Sequence, residues 1–232
     1  DKDYAVSFAI PCDWKGVKLL ARPAWVHGIQ NLPETYRTPT AELGDVETMI
    51  VFDDVFIPKE RVFLNGMENP NATAYGGFLA LMFAHYHRHS YTGCKPAISE
   101  ILASACSLAA EYNNVEDKKH VSTKISHLVG TAELVFAAGE SSAMHSEKSS
   151  SGTQIPDEVL TNAGRRLAGE NIYKEYEILA DITGGIMATL PYLETFTNTD
   201  IGPLALKYMQ RNPRMDPEKG LQIIKGIETL GC

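Results

Sequence analysis

Residues 84–96 read Ala-His-Tyr-His-Arg-His-Ser-Tyr-Thr-Gly-Cys-Lys-Pro, and the organisation of the whole chain follows from this stretch. Three histidines, two tyrosines, a cysteine and a lysine fall within little more than three helical turns. At about 100° per residue, His87, Tyr91 and Cys94 stand at i, i+4 and i+7 and share one helix face. Lys95 flanks that face, while His85 and His89 point elsewhere. The run before the stretch, Gly-Gly-Phe-Leu-Ala-Leu-Met-Phe-Ala, is apolar, and the run after it, Ile-Ser-Glu-Ile-Leu-Ala-Ser-Ala-Cys-Ser-Leu-Ala-Ala, is amphipathic. The spacing therefore predicts a long, mostly buried helix with the reactive residues at its middle. Gly93 and Pro96 predict a kink near 92–96, because glycine weakens the helix and proline removes one intrahelical bond.

Taken singly, a buried histidine is usually satisfied by hydrogen bonds and a buried cysteine is usually packing. Here several reactive types line one strip beside a predicted kink, which points to a functional site. In a straight helix His87 and Cys94 are about 10 Å apart along the axis, at about 1.5 Å per residue. That is too far for one metal ion, but within reach of a larger inorganic cluster or of a bent helix.

Outward from the motif, the chain changes character near residue 70. Residues 1–66 carry strand signals at Tyr4–Ile10, Val17–Ala21, Glu47–Phe52, Val55–Pro58 and Arg61–Phe63, with a turn at Asp13–Gly16 and a loop of about 20 residues between Trp25 and Leu43. From residue 71 the periodicity is helical: the motif helix runs to Tyr112, a second helix spans Asp117–His145, a third Pro156–Ala180, and a fourth Pro203–Leu230. A polar loop, Ser146–Gly152, follows the second helix, and Gly184-Gly185 ends the third. The fold class read from this is α+β, a small β domain over residues 1–66 followed by an α-helical bundle over residues 71–232.

With 232 residues, 44% of them hydrophobic, the chain can bury a sizeable core. A net charge of −8 argues against nucleic acid as a partner. No apolar run approaches a membrane span, no signal-peptide pattern opens the chain, and four cysteines without paired spacing fit reduced thiols, so a cytoplasmic setting is expected. The chain opens on Asp1 into an alternating segment and closes on Cys232 at a helix end, and both ends are expected to continue into further protein.

Three sets of residues carry a resemblance: Val-Phe-Asp-Asp-Val-Phe-Ile-Pro-Lys-Glu-Arg-Val-Phe at 51–63, His-Arg-His-Ser-Tyr-Thr-Gly-Cys-Lys at 87–95, and Asp-Ile-Thr-Gly-Gly-Ile-Met-Ala-Thr-Leu-Pro at 181–191. With the sheet-plus-bundle layout, they resemble the 4-hydroxybutyryl-CoA dehydratase/vinylacetyl-CoA Δ-isomerase family, which belongs with the flavin-dependent 4-hydroxyphenylacetate 3-monooxygenases in an acyl-CoA dehydrogenase-like fold. The His-x6-Cys-Lys pattern is specific to the dehydratases.

The resemblance implies an FAD and a 4Fe-4S cluster held by three cysteines and one histidine. His87 and Cys94 match two of those metal ligands, and the family's other two cysteines lie in an N-terminal helical region outside this chain. It implies a hydro-lyase that dehydrates 4-hydroxybutyryl-CoA by an oxygen-sensitive radical mechanism and isomerises vinylacetyl-CoA, acting as a homotetramer on a CoA-thioester substrate. His87, Tyr91, Lys95 and Glu47 take the catalytic roles: His87 as ligand and base, Tyr91 as a hydrogen-bond donor, Lys95 as a positive charge beside the developing anion, Glu47 as an acid/base. Apart from the resemblance, the residues around Glu47 favour a solvated strand-edge carboxylate. Gly184 and Gly185 resemble the turn that, in acyl-CoA dehydrogenase-like folds, approaches the flavin pyrophosphate from a neighbouring subunit, and Tyr112 and Asn113 a stretch near the flavin; a plain helix end accounts for each as well. Cys106, about 120° around the helix from Cys94, reads as packing. Two alternatives stand beside the dehydratase: a flavin-dependent monooxygenase of a phenol, with no need of Cys94, and a non-catalytic assembly subunit.

Overall fold

The computed structural model describes residues 2–21 and 48–231. Among these, one compact unit takes in residues 2–21 and 48–87 and a second takes in 88–231.

In the first unit, β1 (Val6–Phe8) pairs antiparallel with β4 (Val62–Asn65), and β2 (Val17–Ala21) pairs antiparallel with β3 (Thr48–Phe52). The register of the second ribbon runs from Val17 opposite Phe52 to Ala21 opposite Thr48. Gly16 permits the close return before β2: its φ is +90°, and a Cβ there would stand 2.6 Å from the Asp53 carbonyl oxygen. Phe8 meets Phe52 edge to face at 5.7 Å, and the Arg61 guanidinium lies 4.9 Å from the centre of the Trp14 ring.

The strand expected at Val55–Pro58 does not form. Asp54 takes a left-handed φ of 51° just before it, Pro58 offers no N–H, and the Phe56 carbonyl accepts from Trp14 Nε1 at 3.0 Å instead of joining a ladder. The strand expected over Tyr4–Ile10 shortens to Val6–Phe8.

Helix α1 spans Ala72–Tyr112 and is helical throughout, so Pro96 does not end it. It stops at Asn113-Asn114, where Asn114 adopts a φ of 57° and Val115 N–H reaches back to the Ala110 carbonyl at 3.0 Å, a left-handed cap of the Schellman type. Then come α2 (Lys119–Met144), α3 (Glu158–Thr183), two short helices α4 (Ile186–Thr189) and α5 (Leu193–Thr197), α6 (Gly202–Met209) and α7 (Pro217–Gly231). Asp157 caps α3 by accepting from Leu160 N–H at 2.8 Å, and Gly184 ends it at a φ of 65°.

The segment expected as a polar loop carries a short hairpin, β5 (Glu147–Lys148) with β6 (Gln154–Ile155). The single fourth helix expected over 203–230 is two helices. Asp216 accepts from Glu218 and Lys219 N–H, both at 3.0 Å, which starts α7 afresh after Pro213.

The bundle core gathers Leu102, Cys106, Ala109 and Tyr112 of α1 with Leu128 of α2, Ile178, Leu179 and Ile182 of α3, and Ile224 and Ile227 of α7. Among the described residues, no helix is long and apolar enough to cross a membrane.

Candidate functional site

Helical spacing sorts the motif by depth. Thr92, Lys95, Pro96 and Ser99 are buried, Tyr91 and His89 are half-buried, and His87, Arg88 and Cys94 are exposed. His87 and Cys94 are thus exposed, Tyr91 turns toward α3, and Lys95 points into the bundle.

Partners on α1 and α3 ascend together: Arg88 donates to Asn162 at 2.9 Å, the Tyr91 ring carries the Arg165 guanidinium at 4.2 Å, Lys95 pairs with Glu175, and Asn113 donates to the Ile182 carbonyl at 2.7 Å. These pairings run the same way along both helices, so α1 and α3 are parallel.

Thr92 is the tightest point. A Cβ on Gly139 would fall 2.2 Å from Thr92 Oγ1, and one on Gly164 would fall 2.9 Å from Thr92 Cγ2 and from Ala138 Cβ. Glycine on α2 and glycine on α3 are therefore what let three helices meet at this threonine. One ring nitrogen of His89 lies 3.3 Å from the Gly139 carbonyl, tying the motif to α2.

The Lys95 ammonium is 1% exposed and pairs with the Glu175 carboxylate, 0% exposed. It also donates to Ser99 Oγ at 2.8 Å, and Ser99 donates to the same Glu175 oxygen at 2.9 Å. The other Glu175 oxygen is buried with no hydrogen-bond partner among the described residues. Lys95, expected beside a developing anion, thus has its charge compensated inside the bundle.

Cys94 is exposed, and its thiol faces the Tyr91 carbonyl at 3.7 Å, a weak donor contact. His87 is exposed, and its ring stacks on Phe83 at 5.7 Å and 20°. Glu47 lies outside the described residues. Among the described residues, no group of three or more His, Cys, Asp or Glu side chains gathers to hold a metal ion. His87 and Cys94 have the donor chemistry of cluster ligands, but the described residues do not complete a set of four. Cys106 is fully buried, and burial pushes its thiol up to about 12, out of the range of a ligand or nucleophile.

Three of the four residues expected at a flavin come together. Asn113, which donates to the Ile182 carbonyl just before Gly184, accepts from the Arg211 guanidinium at 2.8 Å. A Cβ on Gly184 would stand 3.6 Å from Arg211 Nη1, and a Cβ on Gly185 would meet nothing within 4 Å. Gly184 and Gly185 hold successive left-handed φ values of 65° and 79° and are exposed. The result is an open backbone turn beside a cation, a surface that fits an anionic group. Tyr112 points inward, its hydroxyl bonded to the Met209 carbonyl; burial raises its pKa, with Arg211 pulling the other way.

Sequence reasoning missed Glu175, Arg165, Gly139, Gly164 and Arg211. Gly139 and Gly164, in mid-helix, carried a signal of close packing. Glu175, within Lys-Glu-Tyr-Glu, reads as part of a solvated face and carried none.

Solved structures share the fold of this chain. An oxygen-tolerant archaeal 4-hydroxybutyryl-CoA dehydratase from N. maritimus matches with a TM-score of 0.87 at 31% identity, covering 100% of this chain and 45% of that one. The oxygenase component of a 4-hydroxyphenylacetate 3-monooxygenase, solved with FAD, shares the fold at a TM-score of 0.79 and 24% identity, over 99% of this chain and 48% of that one.

The family follows from the sequence. The 4-hydroxyphenylacetate 3-hydroxylase N-terminal model matches residues 1–64 and the C-terminal model matches 77–232, and the chain belongs to this family. Among curated relatives, the 4-hydroxybutyryl-CoA dehydratase/vinylacetyl-CoA-Delta-isomerase of Clostridium aminobutyricum is 29% identical over 99% of this chain and 48% of its own length. The 4-hydroxyphenylacetate 3-monooxygenase oxygenase component of Thermus thermophilus is 27% identical over 89% of this chain and 42% of its own length. The resemblance read from the motifs therefore holds, and the chain spans less than half the length of these relatives.

Proposed function

We propose that this chain is part of a flavin-dependent dehydratase of a hydroxyacyl-CoA thioester, taking 4-hydroxybutyryl-CoA to crotonyl-CoA and isomerising vinylacetyl-CoA. The observation that carries the reading is the His-x6-Cys-Lys strip itself. His87 and Cys94 are side chains with metal-binding chemistry, both left exposed on one continuous helix, in a chain similar to such a dehydratase over nearly its whole length.

In this reading, Gly184, Gly185, Asn113 and Arg211 hold the diphosphate of FAD: the glycines allow close approach and the guanidinium supplies the charge. Tyr112 acts from beneath, fixing the 209–212 segment that carries Arg211. FAD, when bound, supplies one-electron oxidation and reduction of the acyl chain. Tyr91 donates its phenolic hydrogen to substrate, and the exposed His87 imidazole exchanges the proton removed from the acyl chain. Glu47 serves as a further acid/base. Lys95, compensated by Glu175, contributes by position within the motif turn.

A 4Fe-4S cluster in this reading takes His87 and Cys94 as two of its ligands, with the remaining ligands outside the described residues. A cytoplasmic homotetramer completes the proposal.

A phenol monooxygenase is the second reading, favoured by the Thermus relative's similar identity to this chain. The two separate in one assay, performed anaerobically with 4-hydroxybutyryl-CoA and aerobically with reduced flavin and 4-hydroxyphenylacetate. Crotonyl-CoA formation that is lost in Cys94→Ala supports the dehydratase. Hydroxylation of the phenol by both proteins replaces it with the monooxygenase.

A further inference from the structure

Arg165 sits half-buried on α3 with its guanidinium 4.2 Å from the centre of the Tyr91 ring. No carboxylate pairs with it among the described residues. Its place is built: Arg165 Nη1 occupies the space that a Cβ on Gly169, one turn later on α3, would approach to 2.9 Å. The Tyr91 hydroxyl likewise has no hydrogen-bond partner among the described residues. One turn before Tyr91, Arg88 is satisfied by Asn162 at 2.9 Å, so the guanidinium left uncompensated at this point is that of Arg165.

Stacking on an aromatic face uses the plane of a guanidinium and leaves its N–H edge free. A half-buried cation is expensive to leave unpaired, and the planar edge of arginine matches the two oxygens of an oxoanion. A tyrosine hydroxyl at the rim of the same stack adds one neutral donor.

We infer that Arg165, held on Tyr91 and given room by Gly169, binds an oxoanion at the motif face of α1, with Tyr91 donating beside it. The shared chemistry is that of a phosphate or a carboxylate. A connection to a CoA ester rests on the reading proposed above; the oxoanion site itself rests only on this geometry.

The test is titration calorimetry of the purified chain with coenzyme A, inorganic phosphate and butyrate, on wild type, Arg165→Met, Arg165→Lys and Gly169→Ala. Methionine keeps an unbranched apolar stem without charge, lysine keeps the charge without the planar edge, and alanine at 169 shifts the guanidinium while retaining it. Thermal unfolding of each variant reports the fold. The expectation is that at least one probe binds wild type and that Arg165→Met weakens it about tenfold or more, the scale of a lost charge-assisted contact. Arg165→Lys and Gly169→Ala fall between.

Competition by phosphate identifies a phosphoryl source, and competition by butyrate a carboxylate. Binding of phosphate or butyrate without coenzyme A, weakened in Arg165→Met, upholds the Arg165 site and removes the CoA reading, whereas the same binding undiminished in Arg165→Met overturns the site. Coenzyme A bound equally by wild type and Arg165→Met overturns the role of Arg165 and leaves the CoA reading standing. Binding of none of the three by wild type overturns the site.

Discussion

Lys95 on α1 and Glu175 on α3 form an ion pair sealed inside the bundle, 1% and 0% exposed, with Ser99 bonded to both. Two such charges leave water at a large desolvation cost, which their attraction and the serine bond offset. The pair also sets how far α1 can slide along α3, and so where the turn bearing Tyr91 and Cys94 comes to rest. Removing one partner leaves the other charge buried alone. Glu175→Ala is expected to lower stability by about 3–5 kcal/mol in urea unfolding. The double variant Lys95→Met with Glu175→Leu should recover most of that loss. Equal loss in the single and double variants would mean that the pair contributes through volume alone.

The contact at Thr92 makes a second, independent claim. Gly139→Ala would drive a methyl to 2.2 Å from Thr92 Oγ1, and the helices must part or the threonine must leave its rotamer. The expected cost is about 1–3 kcal/mol. Adding Thr92→Ala should return part of it. By contrast, Gly130→Ala on the same helix has open space within 4 Å and should be neutral or slightly stabilising by helix propensity.

These two contacts show what was legible in the sequence and what was not. The long motif helix, its end at Asn113-Asn114, and helices two and three were readable because their apolar positions recur at helical spacing over many turns. The depth of Lys95 was not, because a lysine on a helix ordinarily extends to water, and its partner lies 80 residues away in a run that looks solvated. The break between α6 and α7 was also missed. Both halves are apolar at helical spacing, and only the Asp216 cap and Pro213 separate them. In the β region the pattern at Val55–Pro58 is strand-like, but the left-handed Asp54 turns the chain out of any ladder. For the candidate site, His87, Tyr91 and Cys94 were visible as a strip. Arg165 joins Tyr91, and Arg211 joins the Gly184–Gly185 turn, only through tertiary packing, which spacing along one helix does not encode.

The thiols differ in environment, and that difference is measurable. Cys12 and Cys94 are exposed, while Cys106 is buried and held protonated. Iodoacetamide at about pH 8 should modify Cys12 and Cys94 and spare Cys106 in the native protein, as read by peptide mass spectrometry. Modification of Cys106 at a rate like that of Cys94 would contradict its place in the core.

The same burial gives a pH dependence with a definite sign. The folded state raises the Cys106 thiol from 9.0 to about 12, so folding favours its neutral form. That contribution is complete below about pH 9 and is lost as pH rises from there toward 12. Tyr112, raised by burial, acts in the same direction. The urea midpoint should therefore fall as pH is raised above 9, and the fall should be shallower in Cys106→Ala. A midpoint that holds flat across this range would contradict the buried thiol.

The proposed function requires Cys94, together with His87, to serve an iron-sulfur centre beside a flavin. Its most direct test is the iron, acid-labile sulfide and flavin content, with the visible spectrum, of protein isolated without oxygen from the cells that make it, comparing wild type with Cys94→Ala. Wild type is expected to carry about four irons for each flavin, with iron and sulfide lost in the variant while flavin is retained. Flavin without iron in both proteins would contradict it and leave Cys94 an exposed thiol of a flavin monooxygenase.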